Sequence, residues 1–150
     1  MPDRLEFELV TPERLLLSEM VEMVVVPGTE GNFGVLPGHA PLISTIRPGM
    51  IEIYEGQNLT RRIFVVSGVA EVTAERCTVL ADEAAEPDTL DRAAIEADLR
   101  ILEGNLPSLR EQVARAVDAD RERLLIELHR LERDQAVLLA KLQALGEIGH

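Results

Sequence analysis

The chain has 150 residues, with 15 Lys and Arg against 27 Asp and Glu, a formal net charge of −12. That balance excludes most phosphate-backbone binding, which needs a cationic footprint, and the small basic clusters (Arg61 and Arg62; Arg121 and Arg123) are interleaved with or outnumbered by carboxylates. A hydrophobic share of 46% supports one ordinary core rather than a disordered tail, in one domain or two small ones.

No apolar run approaches the roughly 20 residues of a bilayer-spanning helix. Alternation begins right after Met1-Pro2-Asp3, so no export by an N-terminal signal peptide is expected. The lone Cys77 can form neither an internal disulfide nor a Cys-rich zinc site, and a reducing compartment is expected. Its place in an alternating apolar segment reads as a small buried hydrophobe.

Pro87 divides two compositions. Residues 1–87 hold seven of eight prolines, seven of ten glycines and every aromatic (Phe7, Phe33, Tyr54, Phe64). Within them, short alternating or apolar runs recur about every ten residues: 5–10, 14–17, 21–26, 33–36, 42–46, 50–54, 62–66, 70–74 and 77–81. Turn residues punctuate them at Pro12, Pro27-Gly28, Pro37-Gly38 and Pro48-Gly49, because proline fixes φ and glycine accepts positive φ. The pattern predicts an all-β sandwich or barrel with antiparallel connections, with Ile51 and Ile53, and Ile63 and Val65, each sharing one face of a strand.

From Asp88 the period becomes helical. Asp88 or Thr89 is the expected N-cap of a first helix whose stripe is Leu90, Ala94, Ala97 and Ile101, and Glu96 to Arg100 adds an i, i+4 pair. Gly104-Asn105-Leu106-Pro107-Ser108 is expected to stop or kink it. A second helix follows, with a heptad-like seam of Leu124, Leu128, Leu131, Leu138, Leu142 and Leu145, and Gln135 in the gap. Val113 and Val117 fit its register, yet Asp120 interrupts it, so Val117 to Asp120 reads equally as the turn between two helices. A seam this narrow wants one partner helix, and a helical hairpin is expected over residues 88–150.

The residues offer no catalytic set. Gly28-Thr29-Glu30-Gly31-Asn32-Phe33-Gly34 has glycine spacing but no lysine, and a carboxylate where phosphate would sit. His39, His129 and His150 lie far apart without metal-ligand spacing. Ser67-Gly68 lacks the preceding glycine of a nucleophile elbow, residue 65 being valine, and reads as structural. Neither metal nor cofactor is expected. Arg121, Arg123, Arg130 and Arg133, with Lys141, read either as a solvated face paired within the helix (Arg123 to Glu127, Arg130 to Asp134) or as a surface for an acidic partner.

The run 28–42, GTEGNFGVLPGHAPL, resembles the epsilon subunit of F-type ATP synthase. Ile46-Arg47-Pro48-Gly49, Val66-Ser67-Gly68-Val69-Ala70-Glu71-Val72, Thr78-Val79-Leu80-Ala81-Asp82-Glu83-Ala84 and Leu90-Asp91 follow in that family's order. The resemblance covers residues 5–91 and the architecture of the rest. It implies a ten-stranded sandwich (1–87) and a two-helix hairpin (88–150), peripheral to the cytoplasmic face of a bacterial inner membrane. The implied role is a non-catalytic central-stalk subunit that passes c-ring rotation through the gamma subunit to ATP synthesis. Glu30, Gly31 and Asn32 would face the polar c-ring loops, with His39 near the same end; many members carry an acid where this chain has Asn32. The hairpin's basic face (Arg121, Arg123, Arg130, Arg133) would meet the alpha and beta subunits of the head and brake hydrolysis. Some members bind regulatory ATP through an [IL]-D-x-x-R-A motif, but Ala94-Ile95 stand here in place of arginine and alanine, so weak or no ATP binding is expected. The competing reading is a stand-alone ligand-binding sandwich that homodimerises through its helices.

Overall fold

The structure, a computed structural model, describes residues 3–148, of Ile148 the backbone only; His150 lies outside that range. The described residues form two compact units that divide between Thr89 and Leu90.

The first unit contains β1 (Leu5–Val10), β2 (Leu15–Val21), β3 (Met23–Gly28), β4 (Gly31–Val35), β5 (Leu42–Ile46), β6 (Gly49–Glu55), β7 (Asn58–Val72) and β8 (Arg76–Ala85), closed by a short 3-10 turn at Pro87–Thr89. Alternation sets the faces. Leu5, Phe7 and Leu9 of β1 and Cys77, Val79 and Ala81 of β8 point into the core, while Glu6, Glu8, Thr78 and Leu80 point out. Burial pushes the Cys77 thiol up to about 12, in keeping with a small core hydrophobe.

All eight strands belong to one hydrogen-bonded sheet that folds back on itself into a sandwich. The fold-over lies in β7 and β8. Along β7 the inward residues are Ile63 and Val65 before the break and Ala70 and Val72 after it, so the inward parity changes between them. Opposite, β8 changes phase between Ala81 and Ala84, and the β7–β8 register never slips. At the change stand Ser67 (φ 36) and Gly68 (φ 140), with Ser67 Oγ donating to Asp82 Oδ2 at 2.7 Å. Before this corner β7 pairs with β6; after it β7 pairs with β5.

Two expectations are corrected here. The family resemblance implied ten strands and eight are found among the described residues, partly because the run at 62–66 and most of that at 70–74 form one strand through the Ser67-Gly68 corner. The pairing is not wholly antiparallel either: β1 and β8 run parallel, Phe7 beside Cys77 and Leu9 beside Val79. A tight hairpin forces antiparallel pairing only on its own two strands, and six strands separate β1 from β8.

The second unit contains α1 (Arg92–Arg115) and α2 (Asp118–Ile148), packed as a hairpin. The buried stripe of α1 is Ile95, Leu99, Leu102, Leu106, Leu109 and Val113, all within about 80° of arc. The expected stripe of Ala94, Ala97 and Ile101 lies on another side, with Ile101 66% exposed. The larger aliphatic set wins because alanines bury little area. The expected cap is also corrected: Asp91, not Asp88 or Thr89, caps α1, its Oδ1 accepting from Ala94 N at 3.2 Å.

Nor does 104–108 stop the helix, since Pro107 sits inside α1 and exposed. Leu102 and Leu106 before the proline and Leu109 and Val113 after it pack in one cluster with Leu128, Leu124 and Leu131 of α2, which outweighs one lost backbone bond. The turn left open by the sequence is Ala116-Val117, with Asp118 at φ 53 opening α2. Of the expected α2 seam, Leu124, Leu128, Leu131 and Leu138 pack in this cluster, and Leu142 and Leu145 are not part of it. Gln135, in its gap, faces α1 and donates Nε2 to Glu103 Oε2 at 3.1 Å, while Arg110 pairs with Glu132 at 3.5 Å.

Candidate functional site

The Glu30 turn grows out of local backbone chemistry. β3 and β4 are joined by Thr29 and Glu30 alone, with Gly28 and Gly31 as the closing pair. Gly31 takes φ 133, and at Gly28 a Cβ would lie 2.8 Å from Gly31 O and 2.9 Å from the Phe33 ring. The turn therefore tolerates a side chain poorly at either position. Thr29 is tied to β5 twice, its N donating to Thr45 O at 3.0 Å and its hydroxyl sharing a 2.7 Å hydrogen bond with that of Thr45. Arg47 reaches across from the end of β5: Nη2 donates to Asn32 Oδ1 at 2.7 Å, Nη1 to Gly28 O at 3.2 Å, and its backbone N to Pro27 O at 3.0 Å. Glu30, Gly31 and Asn32 thus sit together and exposed.

His39 is held elsewhere. Pro37-Gly38 makes the turn before it, with Gly38 at φ 85 and His39 N donating to Leu36 O; Gly38 N donates to Ala74 O at 2.7 Å, fastening this loop to the β7–β8 turn. The His39 ring, through Nδ1, lies 2.6 Å from Ala40 O. The half-buried His39 precedes β5 at Leu42, whereas the Glu30 turn is pinned near its other end at Thr45. The structure brings Glu30, Gly31 and Asn32 together and anchors His39 by a separate loop.

The sequence did not single out the outer face of the sandwich. In cross-strand register, Leu15 of β2, Val10 of β1, Leu80 of β8, Val69 of β7 and Thr45 of β5 stand in one row across five strands. Leu15 is 54% and Leu80 49% exposed. Beside this row, Ile43 is 73% exposed and stands opposite Glu71. Ile43 and its neighbours Leu42, Ser44 and Thr45 line a groove with Thr29 to Phe33, so the face meets the Glu30 turn through the polar Ser44 and Thr45 as well as Ile43. At the other side Arg76 pairs with Glu6 (3.0 Å) and Glu8 (3.3 Å); its hydrogen bond with Glu6 and the charges of both glutamates raise its pKa. The signal in the sequence was faint: Leu80 and Val69 hold outward positions where alternation calls for polar residues.

On α2 the arginines do not share one side. Arg123, Arg130 and Arg133 fall within about 80° of arc, with Ile126 among them, while Arg121 lies about 120° or more away. All four are exposed, and Ile126 is 73% exposed. Arg123 pairs with Asp120 at 3.7 Å instead of the expected Glu127, and the Arg130 to Asp134 pair is not among the ion pairs of the described residues.

The family described as ATP synthase, Delta/Epsilon chain, beta-sandwich domain matches residues 4–87. The chain belongs to the F-type ATP synthase epsilon family. The ATP synthase epsilon chain of Rhodospirillum centenum is 54% identical over 141 residues, covering 92% of each chain. That of Maricaulis maris is 44% identical over 149 residues, covering 99% of this chain and 98% of its own. Among solved structures, a chain in the cryo-EM structure of Euglena gracilis mitochondrial ATP synthase, OSCP/F1/c-ring, aligns with TM-score 0.70 at 20% identity, over all of this chain and 84% of that one. A chain of the Tetrahymena thermophila mitochondrial ATP synthase central stalk and c-ring aligns with TM-score 0.59 at 16% identity, over 94% and 96%. At such identities these two neighbours speak to the fold alone. Among the described residues no helix is long and apolar enough to cross a membrane.

Proposed function

We propose that this epsilon-family chain is a non-catalytic rotor subunit, peripheral to the cytoplasmic face of the bacterial inner membrane, which couples c-ring rotation through gamma to ATP synthesis. The observation that carries the reading is the exposed apolar row Leu15–Val10–Leu80–Val69, whose next member Thr45 shares with Ile43 a groove lined by the Glu30–Gly31–Asn32 turn. A stable sandwich that leaves such a face open has a use for it as a contact. The row supplies the gamma surface and the turn supplies the c-ring contact, while His39, on a separate loop at the other end of β5, lies outside that contact. Because row and turn lie on one hydrogen-bonded sheet, torque entering at the turn reaches the gamma face through covalent and ladder bonds.

In the hairpin, Arg123, Arg130 and Arg133 around Ile126 are the surface that meets acidic loops of the alpha and beta subunits and brakes hydrolysis. Regulatory ATP plays no part in this reading. The Asp91 carboxylate accepts from Ala94 N as the α1 cap, and residue 94 is alanine, so no cation stands there for a phosphate.

Co-purification tests the assignment. The full chain is expected to be recovered with gamma and the c-ring, and Leu80→Asp to weaken its capture by gamma by about tenfold or more. A tight homodimer that takes up neither partner would overturn the assignment in favour of a self-associating binding sandwich.

A further inference from the structure

The Glu30 turn is short, exposed and glycine-flanked, which makes it a poor lever unless something stiffens it. Arg47 is placed to do so. Its guanidinium contacts both legs of the hairpin at once, Gly28 O on β3 and Asn32 Oδ1 on β4, and its own backbone N is bonded to Pro27 O. Arg47 is half-buried between Ile46, a core residue paired with Gly28, and Pro48-Gly49, where a Gly49 Cβ would lie 3.0 Å from the Pro27 ring. The fork is therefore rooted in the segment that joins β5 to β6.

We propose that Arg47 is the positioning residue of the c-ring-facing turn: its guanidinium clamps the two legs of the β3–β4 hairpin so that load on Thr29-Glu30 passes into the β5–β6 segment. This rests on the reading of that turn as the c-ring contact. Both acceptors, the Gly28 backbone carbonyl and the Asn32 amide oxygen, are neutral, so the clamp consists of charge-assisted hydrogen bonds with the cation uncancelled by either. An acidic residue at position 32 would convert one of them into an ion pair. Lysine cannot replace the fork, since its single ammonium lacks the planar spacing that reaches two acceptors on separate strands.

Two measurements on Arg47→Ala, Arg47→Lys, Asn32→Asp and Asn32→Leu test this. In the full chain, Arg47→Ala is expected to speed amide exchange at Thr29 to Asn32 by about tenfold, with the core amides of β1 and β8 unchanged. Asn32→Leu, which keeps the Gly28 bond, is expected to give a smaller rise, Arg47→Lys an intermediate one and Asn32→Asp a fall. In the assembled enzyme, Arg47→Ala is expected to lower ions pumped per ATP hydrolysed severalfold, in the same rank order, while hydrolysis by the detached head stays constant. Faster exchange throughout the sandwich would make Arg47 an ordinary stabilising residue and overturn the proposal. Unchanged exchange at the turn would overturn it too. If Gly31→Trp uncouples pumping and Arg47→Ala does not, the clamp falls while the turn remains the contact. If neither uncouples, the contact reading falls and the clamp with it.

Discussion

Gly68 is the residue on which the sandwich turns. It sits at φ 140 where β7 leaves one partner strand for another, and a Cβ there would lie 2.0 Å from Leu80 O and 2.9 Å from Ala81 Cα. Both obstacles are backbone atoms of the neighbouring strand, so no rotamer change relieves them. Gly68→Ala must either separate β7 from β8 or force the corner out of its φ, and each route costs conformational strain of about 1–3 kcal/mol besides the lost ladder bonds. Denaturant unfolding is expected to show a loss of about 3 kcal/mol or more in the β unit. Ser67→Ala, which removes only the bond to Asp82, is expected to cost about 1 kcal/mol. If the two variants were equally mild, the corner would not depend on close backbone approach.

At the scale of elements, α1 shows how much packing can override a local signal. Pro107 removes one i to i−4 bond and crowds the preceding turn, a cost near 3 kcal/mol in a helix interior. Because Pro107 is exposed, Pro107→Ala is expected to return about 2–3 kcal/mol to the hairpin, part of the gain being offset by a freer unfolded chain, and the helical circular dichroism signal should melt at higher temperature. An unchanged or lowered midpoint would mean that the proline is matched to a bend the hairpin needs. The same helix marks what the sequence made legible. Period alone separated strands from helices and picked out Leu124, Leu128, Leu131 and Leu138 of α2, because each of those patterns is set by side chains within one element. Two stripes were open to α1, however, and the sequence favoured Ala94-Ala97-Ile101 where the fold buries Ile95-Leu99-Leu102. Choosing between them needs the partner helix. Likewise the parallel pairing of β1 with β8, and the outward row made by Val10, Leu80 and Val69, arise from register between strands distant in sequence. The Glu30 turn was readable from its glycines, but the reach of Arg47 across to Asn32 was not, since fifteen positions separate them.

Considered as a whole, the molecule is an acidic protein, net −12, that nevertheless presents a local basic stripe on α2. A stripe of this kind acts over short distances, because at physiological ionic strength charges beyond about 8 Å are screened. The proposed brake must therefore work by direct contact of Arg123, Arg130 and Arg133 with acidic loops of the head, with Ile126 as the apolar centre of the patch. Geometry makes the test specific. Reversal of these three arginines to glutamate is expected to raise hydrolysis by the assembled head to the rate seen when the chain ends at Thr89, a rise of about ten- to a hundredfold if each contact is worth about 0.5–1 kcal/mol. Arg121→Glu changes net charge by the same amount per residue but sits on another side of α2, and it is expected to leave the rate near that of the full chain. Raising salt should mimic the triple reversal only partly, since Ile126 contributes apolar contact that salt does not weaken. Equal rates for the full and shortened chains would remove the brake altogether. An effect of Arg121→Glu as large as that of the other arginines would replace a defined contact face with a general dependence on charge.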